Sequence, residues 1–236
     1  MLEVGPGPGG LTRALLDAGA ERVIALERDP RCVAALAELA AAEAPRLEVI
    51  EADALAFDLA TLDAPLTVVA NLPYNVATAL LLTWLERLER ISSLTLMFQR
   101  EVAERLVARP RSPAYGRLSV LVQWLCRAEI VMHLPAGAFL PPPKVASSLV
   151  RLVPREAPLA PAAKPDLERV VAAGFGQRRK MLRTSLKSLG GDAAALLDAA
   201  GIEPTARAEE IDVAGFCRLA RAEAARRQLT VGSGTG

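Results

Sequence analysis

Histidine is almost missing from this chain, with His133 the only one in 236 residues. The three cysteines, Cys32, Cys126 and Cys217, stand far apart and form no CxxC pair. That spacing argues against a zinc site and against a disulfide framework. No metal is expected, and free thiols suit a reducing cytosol, so the expected location is cytoplasmic. His133 has no metal partner or nucleophile near it in sequence and is assigned no role. Long apolar runs are lacking too: the run from Leu80 to Leu85 is broken by Thr83 and ends at Glu86, far short of the roughly 20 residues a bilayer requires. Neither a membrane partner nor a signal peptide is expected. An excess of one charge is also missing, since 28 Lys and Arg oppose 27 Asp and Glu for a formal net charge of +1. Any polyanionic partner must therefore be held by a local basic patch, not by the field of the whole protein. What is present is 52% hydrophobic and 23% charged residues, the composition of a globular protein with one substantial domain and a smaller one.

Short apolar runs alternate with helical segments through the first half. RVIALE (22–27), LEVIEAD (47–53), LTVVANL (66–72) and LTLMFQ (94–99) read as buried strands. LTRALLDAG (11–19), CVAALAELAAAEA (32–44) and VATALLLTWLERLER (76–90) read as helices between them. Strand, helix and strand repeated in this way predict an α/β domain with a parallel sheet covered on both faces. After a helix at GRLSVLVQWL (116–125), AEIVMHL and VASSLVRLV read as two strands able to form an antiparallel hairpin at a sheet edge. The expected domains are 1–154, a proline-rich linker at 155–165, a helical domain at 166–228 and a disordered tail at 229–236. Within the helical domain DLERVVAAGFG, RRKMLRTSLKSLG, AALLDAAG and AGFCRLARAEAARR all read as helix. Trp84 and Trp124 lie in apolar helical runs and are expected in the core. Tyr115 is expected near the site.

Gly5, Gly7 and Gly10 in MLEVGPGPGG match GxGxxG, and Glu27 ends the next strand where a ribose-binding acid belongs. A dinucleotide site, or a tight turn with no ligand, would each fit that match alone. Pro6 and Pro8 weigh against the dinucleotide, because a pyrophosphate is cradled by backbone N–H groups and proline has none. The loop suits a ligand that needs close backbone approach but carries no phosphate. S-adenosylmethionine is such a ligand: Glu27 would meet its ribose and Asp53, at the end of the third strand, its adenine.

ANLPYNVAT (70–78) follows the fourth strand, at the carboxyl end of the sheet. The exocyclic amine of adenine is a poor nucleophile because its lone pair is delocalised into the ring. The side-chain oxygen of Asn71 and the carbonyl of Leu72 could accept its two N–H groups and free that lone pair. Pro73 would stiffen the loop. Tyr74 would offer a stacking face, worth about 1–3 kcal/mol per base. The plain alternative is an ordinary Asn–Pro turn with Tyr74 in the core.

Taken together, LEVGPGPGG, the acid of ALERD, EADA, NLPYN, QREVAERL, AYGRLSV, AFLPPPKV and GQRRKMLRTSL resemble the bacterial small-subunit (16S) rRNA adenine N6,N6-dimethyltransferases, from Leu2 to about Arg221. The resemblance implies a class I, Rossmann-like methyltransferase fold with a small C-terminal helical domain. It implies transfer of methyl groups from S-adenosylmethionine to two adjacent adenosines near the 3′ end of small-subunit rRNA, within the maturing 30S subunit, by a monomeric enzyme. Glu3, Gly5, Gly7, Glu27, Asp53, Ala54 and Asn71 would hold the cofactor. Asn71, Leu72, Pro73 and Tyr74 would engage the target base, and Phe139 would stack on its other face. Arg178, Arg179, Lys180, Arg183 and Lys187 form a basic run without an intervening acid. On a helix 179, 183 and 187 would share one face, where phosphate contacts would position RNA.

Two departures stand out. The proline loop reads Val145, Ala146, Ser147 where the family has V-D-S, so an acid is missing. The glycine loop also comes at once, without the preceding segment that helps hold the methionine end of the cofactor, so the chain is expected to be N-terminally truncated and to bind cofactor weakly. Two other readings remain: a ribosome-assembly binding factor with little turnover, and an adenine-N6 methyltransferase of another RNA.

Overall fold

The computed structural model of the chain describes residues 1–139 and 142–232. They divide into two compact units, one built from Met1–Ala103 with Ala128–Pro154, the other from Glu104–Arg127 with the chain from Arg155 onward.

The first unit is organised by a seven-stranded sheet: β1 (Leu2–Val4), β2 (Val23–Glu27), β3 (Leu47–Glu51), β4 (Leu66–Ala70), β5 (Ile91–Gln99), β6 (Cys126–Leu134) and β7 (Ser147–Pro154). Their order is β3-β2-β1-β4-β5-β7-β6. β1 to β5 run parallel, and β7 runs antiparallel to β5. The apolar runs account for this arrangement: Val23, Ile24, Ala25 and Leu26 are all buried, as a strand covered on both faces requires. The hairpin expected at the sheet edge is present, with β7 inside and β6 outermost. The chain leaves β1 toward β2 and β3, then crosses back to β4 and β5. The topological switch point, where open α/β sheets form their ligand crevice, therefore lies between β1 and β4.

Helices α1 (Gly10–Asp17) and α2 (Pro30–Ala42) pack on β2 and β3 through Leu16, Val23, Ala25, Leu36, Leu39 and Leu47. Asp29 caps α2 by accepting from the Arg31 amide, and Pro30 supplies the preset φ of the first helical position. The Arg31 side chain also bonds Asp29 and holds its carboxyl down to about 2. The chain between β1 and α1 bends sharply at Gly9, whose φ of 89° is left-handed and where a Cβ would lie 2.5 Å from Leu36 Cδ2. Only glycine fits there. Helix α3 runs Tyr74–Trp84 and stops before 90, with a separate 3-10 turn at Leu88–Arg90. Helix α4 (Arg100–Val107) is short and charged, burying mainly Ala103 and Leu106, which is why its sequence pattern gives little warning.

In the second unit α5 (Arg117–Leu125), α6 (Lys164–Gly176), α7 (Leu182–Ser185), α8 (Ala193–Ala199) and α9 (Val213–Gly232) enclose one core. Val120 and Trp124 of α5 pack with Leu167, Val170, Val171 and Phe216, so residues 104–127 belong here and not with the α/β domain as expected. Nor is 155–165 a loose linker throughout: Arg155 N donates to Leu125 O (2.8 Å), Leu159 N to Trp124 O (2.8 Å), and Trp124 Nε1 to Ala160 O (2.8 Å). Those bonds satisfy backbone groups that a free linker would leave to water. The tail is helical through Gly232, against the disorder expected from 229; residues 233–236 lie outside the described residues. Trp84 and Trp124 are buried as expected. Among the described residues no helix is long and apolar enough to cross a membrane.

Gly9→Ala should destabilise the first unit more than Gly7→Ala, because Gly7 (φ 56°) has nothing within 4 Å of a would-be Cβ and adds only the left-handed penalty. About 1–2 kcal/mol is expected for Gly7→Ala and roughly 1–3 kcal/mol more for Gly9→Ala, read as urea unfolding by circular dichroism. Equal losses would contradict the close approach of Leu36.

Candidate active site

The loop after β1 has its amides already engaged. Gly5 N donates to Leu26 O (2.9 Å), Gly9 N to Pro6 O (3.0 Å), and Gly7 N to Glu27 Oε2 (3.0 Å). Pro6 and Pro8 have no N–H. Across residues 5–9 every amide is thus paired within the protein or is a proline, and no row of donors faces outward for a pyrophosphate. The dinucleotide reading loses its physical basis here.

Glu27 sits at the end of β2 and binds three amides: Gly7 on Oε2, and Arg28 (2.7 Å) and Asp29 (2.8 Å) on Oε1. Oε2 keeps a lone pair for a ligand hydroxyl. Asp53, just past β3, accepts from Leu55 N (3.0 Å) on Oδ1, while its Oδ2 faces Arg28 Nη1 at 3.5 Å. This pair is exposed and adds little stability, but it sets the carboxylate at the mouth of a cavity. That cavity, about 210 Å³, is lined by Val4, Gly5, Leu26, Glu27, Arg28, Ala52, Asp53, Ala54, Leu55, Leu72, Pro73, Val76 and Leu80. It lies below the roughly 300–1,000 Å³ of whole-ligand pockets, so it suits one nucleoside-sized part of a ligand.

The cavity brings together Gly5, Glu27, Asp53, Ala54, Leu72 and Pro73, which the sequence singled out from four separate motifs. Its wall also contains Arg28, Leu55, Val76 and Leu80. Arg28 directly follows Glu27, but its ion pair spans 25 residues and no local pattern announces it. Glu3 is not on the wall. It is almost wholly buried beside Thr12 of α1, and neither of its oxygens makes a well-formed hydrogen bond. Burial pushes its pKa up, and the Thr12 hydroxyl offsets part of that rise.

Asn71 is exposed between β4 and α3, Leu72 is buried with its side chain 3.4 Å from a would-be Cβ of Gly5, and Pro73 caps α3. Tyr74, the first residue of α3, is half-buried, and its hydroxyl lies 2.6 Å from Ser147 Oγ. Phe139 follows a one-turn helix at Ala136–Ala138 and is half-buried; Leu140 and Pro141 of the proline loop lie outside the described residues. Because Ser147 pairs with Gln99, the last residue of β5, residues 142–146 lead into β7 at the carboxyl end of β5. That is the sheet edge from which residues 71–74 also project. His133 Nδ1 and Ser148 Oγ share a hydrogen bond of 2.9 Å, a satisfied strand contact.

The basic run in the second unit is not one helix. Residues 177–180 form a turn, Met181 bridges Arg207, and only then do α7 and a 3-10 turn at Leu186–Leu189 follow. Leu182 N donates to Ala206 O (2.8 Å), so lateral pairing competes with helix formation at this point. Arg179, Arg183 and Lys187 therefore do not share a helix face by i, i+4 spacing, although they and Lys180 are all exposed. Arg178 differs from them. Its Nε bonds Glu209 (2.9 Å), and Nη2 donates to Pro113 O (2.6 Å), clamping two turns together. Tyr115 also belongs to this unit, donating its hydroxyl to Ile211 O (2.9 Å) from a fully buried position; burial pushes its pKa up.

Known proteins match this chain along nearly its whole length. The family model described as "Ribosomal RNA adenine dimethylase" matches residues 1–224. Relatives named ribosomal RNA small subunit methyltransferase A include one from Paramagnetospirillum magneticum, 60% identical over 96% of this chain and 80% of the relative. Another, from Azorhizobium caulinodans, is 61% identical over 100% of this chain and 81% of its own. A crystal structure of a dimethyladenosine transferase from Plasmodium falciparum superposes with a TM-score of 0.80 at 26% identity, covering 92% of this chain and 87% of that one. The 23S rRNA methyltransferase ErmE superposes at 0.69 and 30% identity, covering 94% and 90%. The switch-point cavity and the Asn-Leu-Pro-Tyr loop stand on a class I methyltransferase sheet, and this chain belongs to the ribosomal RNA adenine dimethylase family.

Proposed function

We propose that this protein is the S-adenosylmethionine-dependent enzyme that dimethylates N6 of two adjacent adenosines near the 3′ end of 16S rRNA during maturation of the small ribosomal subunit. The observation that carries the reading is that Leu72 and Pro73 line the same cavity as Glu27 and Asp53. The target-base loop and the cofactor acids thereby share one wall.

S-adenosylmethionine supplies the methyl group. Glu27, held rigid by three amides, offers acceptor capacity to ribose hydroxyls. Asp53 offers a carboxylate to an adenine amine. The paired amides of residues 5–9 suit a ligand without phosphate. Asn71 Oδ1 and the Leu72 carbonyl accept the two hydrogens of the target amine and localise its lone pair. Pro73 stiffens their loop, and Tyr74 with Phe139 stacks on the base. Leu26, Leu72, Val76 and Leu80 keep water from the transfer region, so positioning and desolvation carry most of the rate. In the second unit Arg179, Lys180, Arg183 and Lys187 meet rRNA phosphates, and Arg178 holds their turn in shape.

Asn71→Ala should lower single-turnover methyl transfer to unmethylated small subunits by at least about 100-fold, while lowering S-adenosylmethionine affinity by calorimetry far less than it lowers the rate. Normal turnover would refute the role of Asn71. Replacing Arg179, Arg183 and Lys187 together by Gln should weaken subunit binding and reduce its salt dependence, by about one unit of slope for each phosphate that is no longer neutralised. An unchanged slope would mark these side chains as a solvated face.

A further inference from the structure

The Tyr74 hydroxyl is not needed for stacking, since a phenylalanine ring presents the same face to a base. Here it is used inside the protein. Tyr74 Oη and Ser147 Oγ lie 2.6 Å apart, one hydroxyl donating to the other across 73 residues of sequence. Ser147 is fully buried and begins β7. Its backbone is fixed by its register with Gln99 of β5 and, one residue earlier, by Arg100 N donating to Ala146 O (2.9 Å). The far end of the Tyr74 ring is thus tied to the rigid carboxyl edge of the sheet, while its near end starts α3 directly behind Asn71, Leu72 and Pro73. An aromatic ring held only at Cβ can swing about two torsions; the hydroxyl lies on the axis of ring rotation, so holding it as well fixes where the long axis of the ring points.

We infer that Ser147 is a positioning residue for methyl transfer, fixing the long axis of the Tyr74 ring and with it the place at which the target adenine rests against that ring. This rests on the reading of Tyr74 as the stacking face. The missing acid beside it, Ala146 in place of the family's aspartate, leaves this tie intact, because the tie runs through the serine. Orientation errors of this kind slow the chemical step more than binding.

Single-turnover methylation of unmethylated small subunits at saturating S-adenosylmethionine tests the inference, with cofactor affinity and thermal unfolding measured alongside. Tyr74→Phe and Ser147→Ala should each lower the rate about tenfold with little change in KM. The double variant should be no slower than either single, because both remove one bond. Ser147→Thr, which keeps the hydroxyl, should restore most of the rate. Should Ser147→Ala unfold, Tyr74→Phe and Ser147→Thr decide. Full activity in Tyr74→Phe, or a double variant slowed by the product of the two single effects, would overturn the inference. Tyr74→Ala separates the two levels: if it keeps full activity, the stacking role itself fails; if it is inactive while Tyr74→Phe is normal, only the positioning role fails.

Discussion

The Glu27 carboxylate holds the site together. It ends β2, yet it accepts from Gly7 in the loop after β1 and from Arg28 and Asp29 in the turn that leads into α2. Hydrogen bonds to a charged acceptor are about twice as strong as neutral ones, and here one carboxylate fastens two neighbouring strand ends. The left-handed glycines allow the loop to come within reach, and α2 starts where Asp29 can cap it. With those two ends fastened, the adjoining carboxyl ends of β3 and β4 complete a cavity whose walls come from four strand ends.

Much of this is legible in the sequence alone. Buried parallel strands are continuous runs of Val, Ile, Leu and Ala, so β2 to β5 stand out, and so does the reversal that puts β7 and β6 at the edge. The acids at 27 and 53 are legible because strand ends at a switch point are where ligand groups belong. The amide pairing of the loop is only half legible: the prolines visibly lack donors, but nothing local shows the use of the glycine amides by Leu26, Pro6 and Glu27. The burial of Glu3 beside Thr12 is hidden for a related reason, since a motif position does not say on which side of the loop a side chain is buried.

The larger misreadings concern contacts between distant segments. RRKMLRTSLKSLG has helical composition, but its backbone at Met181 and Leu182 pairs with residues 206–207, and propensity yields to that tertiary bond. Arg178 counts as one more positive charge in sequence, yet its guanidinium is engaged by Glu209 and two carbonyls. Tyr115 and α5 lie between strands in sequence and pack among helices in space. The Tyr74–Ser147 hydrogen bond, between residues 73 apart, has no local signature at all.

The interleaving of the two units bears on how the chain is made. Residues 104–127 belong to the helical unit, yet they precede β7, which must pair with β5 to complete the sheet. As the chain emerges during synthesis, α5 with its apolar Val120 and Trp124 is therefore ready before its core partners in α6 and α9 exist, while β5 waits for a neighbour encoded beyond α5. The first unit has all its residues by Pro154, but the chain made up to that point also carries α5, whose core partners are still to come. A break at residue 154, where composition alone suggests a seam, would release a fragment bearing α5 without the helices that cover it.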